Sequence, residues 1–198
     1  MIIYNCYQSV KMPPQPLWSL PQLELSPQIP HSPPPILSIR KSYQLDRYVS
    51  SISEITPHIS LGSMNFTEED LKRLGITHIL NISNVEDPNY PGINSLFIPM
   101  YDGGSPCNGK MIDDYFCQTF DFIKEAIDLN GKVLVHCHMG ISRSATIVIA
   151  YLMKTQKKTY REIMNFVLEK RSIVDPCFIF EIRLIEFQKK IEISSPIN

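Results

Sequence analysis

The stretch KVLVHCHMGISRSATIVIAYLM (132–153) decides the fold of this chain. KVLVHC (132–137) is short and mostly apolar, which predicts a buried strand, and SRSATIVIAYLMKTQK (142–157) is long and apolar enough for a central helix. The loop between them is tight and contains Gly140, which permits an unusual backbone angle. Such a loop turns its N–H groups inward at a helix N-terminus, where the helix dipole adds positive potential. The stretch therefore predicts an anion-binding loop.

Reactive and charged side chains flank this loop, in the order H-C-x-x-G-x-x-R. Cys137 lies at the base, where a helix N-terminus and inward N–H groups stabilise a thiolate. A thiolate there can attack phosphorus in line and give a phosphocysteine, which water must hydrolyse. Arg143, in the first helical turn, is placed to grip two phosphate oxygens. The Ser144 hydroxyl can reach back to stabilise the thiolate as it leaves.

The residues expected to surround the phosphate are His138, Met139, Gly140, Ile141, Ser142 and Arg143. His136 is interpreted as a residue that holds the loop by hydrogen bonds rather than as an acid or base. Asn81, near the end of ITHILNIS (76–83), is a second candidate brace, although an Asn at a strand end also suits a local turn. For Cys137, a buried core thiol at a strand end is the alternative interpretation.

The rest of the chain predicts an α/β fold with a mostly parallel central sheet flanked by helices on both faces. Strands and a turn are predicted in 53–63, with further strands at 76–83, 95–100 and 132–137. Helices are predicted over 67–75, 111–131, 142–157, 160–171 and 176–192, with a loop at 101–110. Nine of the 16 prolines fall between Pro13 and Pro35, so 1–48 is expected to be a disordered extension of a catalytic domain at 49–193, with a short tail at 194–198.

Charge and cysteine usage narrow the class of protein. A formal net charge of −1 gives no reason to expect nucleic acid or a membrane surface as partner, and no apolar run is long enough to span a bilayer. The five cysteines are scattered without CxxC spacing, which argues against a disulfide framework and a zinc site. We therefore expect a protein of the cytoplasm or nucleus, without signal peptide, metal or cofactor.

HCHMGISRSATIVIAYLM (136–153) resembles the signature of the dual-specificity protein phosphatases, HCxAGxSRSxT followed by an AYLM-type helix. The resemblance extends over roughly residues 50–190. It implies one α/β domain and metal-free hydrolysis of phosphotyrosine and phosphoserine or phosphothreonine in proteins. The implied partners are phosphorylated proteins, with kinases among the candidates; the oligomeric state is left open.

Three positions depart from the family pattern. Met139 stands where Ala is usual, as in slingshot-type cofilin phosphatases. Ser172 replaces the Pro of an RP pair and Cys177 replaces the Asn of a PN pair. These last two are expected to touch the helix after the signature rather than the chemistry.

The resemblance also implies a general acid on a loop upstream of the signature. Asp102, in FIPMYD, follows a predicted strand and starts a Gly-rich loop, so it is favoured as the proton donor and later as the base for water. Asp113 and Asp114 are the rivals, but they are expected at a helix start, where carboxylates serve capping. Asp102 also suits a plain Asp-Gly turn.

Other activities found in the cysteine-dependent protein tyrosine phosphatase superfamily, to which the resembled family belongs, stay open. Phosphoinositide phosphatases usually carry basic residues inside the loop, where this chain has Arg143 alone, so a lipid substrate is disfavoured. An RNA 5′-phosphatase is a further alternative, which the SRSAT continuation disfavours. A non-catalytic phosphate-binding adaptor is disfavoured by the presence of Cys137.

Overall fold

The computed structural model describes residues 51–101 and 106–193, with side chains described for 51–101 and 112–191. These residues lie within the compact unit Leu45–Asn198. Three predictions fall outside the described residues: the extension 1–48, the tail 194–198 and the acid candidate Asp102. The first two residues of the predicted domain, 49–50, also lie outside them.

Strands and helices alternate along the described chain. In order they are β1 (Ile52–Thr56), β2 (Ile59–Ser63), α1 (Glu68–Leu74), β3 (His78–Asn81), β4 (Asn94–Phe97), α2 (Pro106–Asp128), β5 (Val133–Cys137), α3 (Arg143–Gln156), α4 (Tyr160–Lys170) and α5 (Phe178–Ile193). Each predicted strand and helix is present, with shifted ends. The segment 53–63 is a hairpin, because β1 and β2 pair antiparallel around residues 57–58.

The strands form one sheet in the order β1-β2-β5-β3-β4. β5 pairs parallel with β2 on one side and with β3 on the other, and β3 pairs parallel with β4. The mostly parallel α/β sheet is thus confirmed. Because the carboxyl ends of parallel strands meet at one edge, the segments that follow β2, β3, β4 and β5 all leave the sheet on the same side.

Helices cover the two faces of the sheet unequally. α3 is buried from Arg143 to Met153, and residues of α2, α4 and α5 share its hydrophobic cluster. The other face carries a smaller cluster in which Leu71 of α1 packs with Phe66, Ile79 and Leu134. Apolar residues on both sides explain why β5 is apolar throughout, apart from His136, and buried at every position.

The structure corrects the start of α2. The Gly- and Pro-containing segment 101–110 is predicted as a loop, but the helix begins at Pro106. Proline is tolerated in a first helical turn, where its missing N–H would have no intrahelical partner. Asp113 and Asp114 therefore lie inside the helix rather than at its start. Asp113 faces Arg183 at 3.9 Å and Lys190 at 4.0 Å on α5, so its carboxylate joins two helices.

Candidate functional site

Cys137 and Ser144 lie on either side of the signature loop, which we define as residues 138–142. Cys137 ends β5 and is 1% exposed, and Ser144 is the second residue of α3. The Ser144 hydroxyl donates a hydrogen bond to the Cys137 sulfur, with Oγ 3.1 Å from Sγ. A donor at this distance stabilises negative charge on sulfur more than it stabilises a neutral thiol.

Every carbonyl of the signature loop accepts a hydrogen bond from a group outside the loop. The donors to residues 138, 139, 140, 141 and 142 are, in turn, Met64 N at 3.2 Å, Arg171 Nη2 at 3.2 Å, Arg171 Nε at 2.9 Å, Asp175 N at 3.0 Å and Thr146 N at 2.9 Å. In a trans peptide the N–H points opposite to the preceding carbonyl. The N–H groups of 139–143 therefore face away from these braces, which is the arrangement that an anion cradle requires.

Gly140 is required by the local geometry of the loop. Its φ is +67°, a conformation that residues with a side chain rarely adopt. A Cβ atom there would also collide with the carbonyl of Gly62 on β2 and would lie 2.8 Å from Arg171 Nη2. The loop thus rests directly on the neighbouring strand, and any side chain at this position would push it away.

Arg171, the residue after α4, braces the loop from behind and was not singled out from the sequence. It is 3% exposed, and besides the two loop carbonyls its Nη1 donates to Ser53 Oγ at 3.1 Å. Burial lowers the pKa of Arg171 from its ordinary value, while the nearby Cys137 opposes that change. An arginine keeps its charge under such conditions. The sequence gives no signal for this role, because a basic residue at a helix end usually lies in solvent.

The connection between α4 and α5 contacts the loop through its main chain. Cys177 N donates to Ser142 Oγ at 3.1 Å, in addition to the bond from Asp175 N to the carbonyl of Ile141. Cys177, which was expected to touch the helix after the signature, thus contacts the signature loop itself. Since the contacts use N–H groups, they depend on the path of this segment rather than on its side chains.

Arg143 links the loop to the segment that follows β4. The side chain is 6% exposed, and its Nη1 donates to the carbonyl of Met100 at 2.7 Å. Met100 precedes Tyr101, which is 69% exposed and directly precedes Asp102. The guanidinium is therefore held beside the segment that leads from β4 into the predicted acid loop.

His136 and Asn81 make contacts other than the predicted ones. His136 is fully buried, and its Nε2 lies 2.7 Å from Oδ2 of Asp87, which lies between β3 and β4. Asn81 donates from Nδ2 to the carbonyl of Val85 at 2.9 Å, the local turn interaction that was its alternative reading. Asp87 escaped sequence analysis because an acidic residue in a loop is most often solvated.

The described residues contain no cluster of three or more His, Cys, Asp or Glu side chains able to hold a metal ion. None of the helices within 51–101 and 106–193 is long and apolar enough to cross a membrane. Cys117, Cys137 and Cys177 carry free thiols.

Comparison with known proteins gives consistent matches. The family model described as dual specificity phosphatase, catalytic domain, matches residues 60–190. Dual specificity protein phosphatase 4 of Homo sapiens is 37% identical over 142 residues, which make up 70% of this chain and 35% of that protein. The chain thus spans about a third of the length of the curated relatives it matches.

Solved structures match over nearly their whole length. The human tyrosine phosphatase-like serine/threonine/tyrosine-interacting protein has a TM-score of 0.64 and 34% identity, covering 70% of this chain and 96% of that one. Human DUSP28 has a TM-score of 0.66 and 26% identity, covering 72% and 96%.

Proposed function

The chain belongs to the dual specificity phosphatase family, and we propose that it hydrolyses phosphate monoesters on tyrosine and on serine or threonine residues of proteins. The observation that carries this proposal is the Ser144–Cys137 hydrogen bond of 3.1 Å at the base of a loop whose carbonyls are all engaged on its outer side. That arrangement supplies a nucleophile, a donor to it and a cradle of N–H groups in one place.

In the proposed first step the Cys137 thiolate attacks phosphorus. A sulfur–phosphorus bond forms as the bond to the substrate oxygen breaks. The N–H groups of residues 139–143 and the Arg143 guanidinium hold the remaining phosphoryl oxygens. Asp102 gives its proton to the departing oxygen, a role supported by the bond between Arg143 and the carbonyl of Met100, two residues earlier in the chain.

In the second step water attacks the phosphocysteine and the sulfur–phosphorus bond breaks. Asp102, now a carboxylate, takes a proton from the water. The departing thiolate accepts the hydrogen bond from Ser144. Inorganic phosphate leaves, and the Cys137 thiolate is ready for another substrate. His136 and Asn81 take no direct part in either step.

Positive charge for the phosphate dianion comes from protein groups in this scheme. Arg143 and the N-terminus of α3 directly follow the signature loop, and Arg171 donates to two carbonyls of the loop. We therefore expect hydrolysis of p-nitrophenyl phosphate to persist in EDTA. Cys137→Ser should abolish it, and Cys117→Ser, which removes an exposed thiol, should leave it unchanged. Turnover that survives Cys137→Ser, or that requires a divalent ion, would refute the mechanism.

The substrate class is tested by direct competition. Phosphotyrosine and phosphothreonine peptides, a phosphoinositide in detergent micelles and a 5′-triphosphorylated RNA should be compared at equal enzyme concentration. Hydrolysis of both peptides ahead of lipid and RNA supports the proposal, and hydrolysis of the lipid or RNA alone contradicts it. Phosphorylated kinases are candidate protein substrates, and a reduced Cys137 suits the cytoplasm or nucleus.

A further inference from the structure

His136, which is buried, and Asp87, which is partly exposed, form a polar pair on the opposite face of β5 from Cys137. Successive side chains of a strand point to opposite faces, so the ring of His136 and the sulfur of Cys137 diverge. The ring packs edge-on against Phe66, with centroids 5.0 Å apart and planes at 79°. Its Nε2 lies 2.7 Å from Asp87 Oδ2, and the Asp87 side chain is 15% exposed. One apolar and one polar contact thus hold the ring.

The hydrogen bond to Asp87 determines which ring nitrogen carries a proton. An ionised carboxylate only accepts hydrogen bonds, so Nε2 of His136 must donate. Nδ1 is buried and has no hydrogen-bond partner among the described residues. In the neutral imidazole the proton on Nε2 is the only ring N–H, so Nδ1, the nitrogen nearer to the main chain, then carries no hydrogen. Loss of Asp87 would leave a buried Nε2–H without an acceptor and would favour the other tautomer.

We propose that Asp87 is a positioning residue: it holds His136 as the Nε2–H tautomer and thereby keeps the end of β5 in the conformation that presents Cys137 to the signature loop. Its kinetic consequence rests on the proposed phosphatase function. The link is short, because His136 directly precedes Cys137 and its carbonyl accepts a hydrogen bond from Ile82 N at 2.9 Å. A ring that turned or changed tautomer would disturb this strand end.

Kinetics of three variants test the role. Asp87→Ala should lower kcat for p-nitrophenyl phosphate about ten- to a hundredfold, the scale expected when reacting groups are slightly misplaced. KM should change by no more than about twofold, because Asp87 contacts the His136 ring, which points to the face of β5 opposite Cys137. Asp87→Asn keeps an oxygen that accepts from Nε2–H and should restore kcat. Glu86→Ala, which removes an exposed neighbouring carboxylate, should match wild type. Asp87→Ala with wild-type kcat, or Asp87→Asn as impaired as Asp87→Ala, would overturn the inference.

The tautomer is measured independently of turnover. In ¹⁵N-histidine-labelled protein, long-range ¹H–¹⁵N spectra should report a protonated Nε2 for His136 in wild type and Asp87→Asn, and its loss in Asp87→Ala. His136→Gln identifies the signals. A wild-type His136 protonated at Nδ1 alone would overturn the inference even in an active enzyme. An inactive wild type would refute the proposed function, while the spectra of wild type and Asp87→Asn would still test the Asp87 contact.

Discussion

Arg171 donates from Nε to the carbonyl of Gly140 at 2.9 Å, so a helix end distant in sequence determines the path of the signature loop. The same guanidinium reaches Met139 O at 3.2 Å and Ser53 Oγ at 3.1 Å, which joins the loop, α4 and the first strand through one side chain. No smaller donor can make these contacts together, because they use separate nitrogens of one planar group.

Arg171→Lys should therefore impair the enzyme although it conserves charge. A lysine ammonium cannot reproduce the planar fork, and at least one buried acceptor would lose its partner at a cost of about 1–3 kcal/mol. We expect a lower free energy of unfolding in urea and a lower kcat/KM. Arg161→Lys, on the exposed surface of α4, is the matched control and should be neutral in both. Equal effects of the two substitutions would contradict a bracing role for Arg171.

Ser144→Ala should slow the second chemical step more than the first. Without the hydroxyl 3.1 Å from its sulfur, Cys137 becomes a poorer leaving group from phosphocysteine. We expect kcat to fall about tenfold or more and kcat/KM to change much less, with a burst of p-nitrophenol in rapid mixing. Thr155→Ala removes another α3 hydroxyl, which donates to Tyr151 O at 2.9 Å, and should show no burst. A parallel fall in kcat and kcat/KM would argue against this role.

Asp102→Asn should reduce turnover by about a hundredfold or more on substrates with poor leaving groups, because the proton donor is lost. The effect should be smaller for p-nitrophenyl phosphate, whose leaving oxygen needs less protonation. Asp113→Asn is the control, since Asp113 is 3.9 Å from Arg183 and 4.0 Å from Lys190. If Asp113→Asn proves the more damaging to turnover in folded protein, the acid must be reassigned.

Because His78 is buried, we expect the protein to lose stability in mild acid. It is buried on β3, where its ring packs against Phe122 with centroids 5.5 Å apart, and burial lowers the pKa of His78 below its ordinary value. The unfolded chain therefore takes up a proton that the folded state resists. The free energy of unfolding should fall as pH drops through the unfolded pKa of about 6.5, and should stop falling below the folded pKa.

Urea unfolding at several pH values between neutrality and mild acid measures this effect. His78→Gln should show a shallower decline than wild type over the same interval, since all other titrating groups are common to both proteins. Parallel curves would show that His78 does not carry the dependence.

The sequence predicted the parts of the molecule that depend on local pattern. The strand–loop–helix at 132–157 is confirmed, and so is α1, where Thr67 and Asp70 cap each other and Gly75 ends the helix with φ of +66°. The predicted start of α2 was wrong because Pro106 and Gly109 indicate a loop, whereas the helix contains both. Arg171 and Asp87 were missed since each acts on residues more than 30 positions away, and no local pattern marks such a contact.

The main-chain bonds from 175 and 177 to the signature loop bear on how this site tolerates sequence drift. An N–H is offered by every residue type except proline, so these two positions can accumulate substitutions while the loop keeps its brace. During evolution the site then depends on the length and backbone path of the α4–α5 connection more than on its amino-acid identities. Selection should remove insertions or deletions between α4 and α5, whereas substitutions such as those at Ser172 and Cys177 should be tolerated.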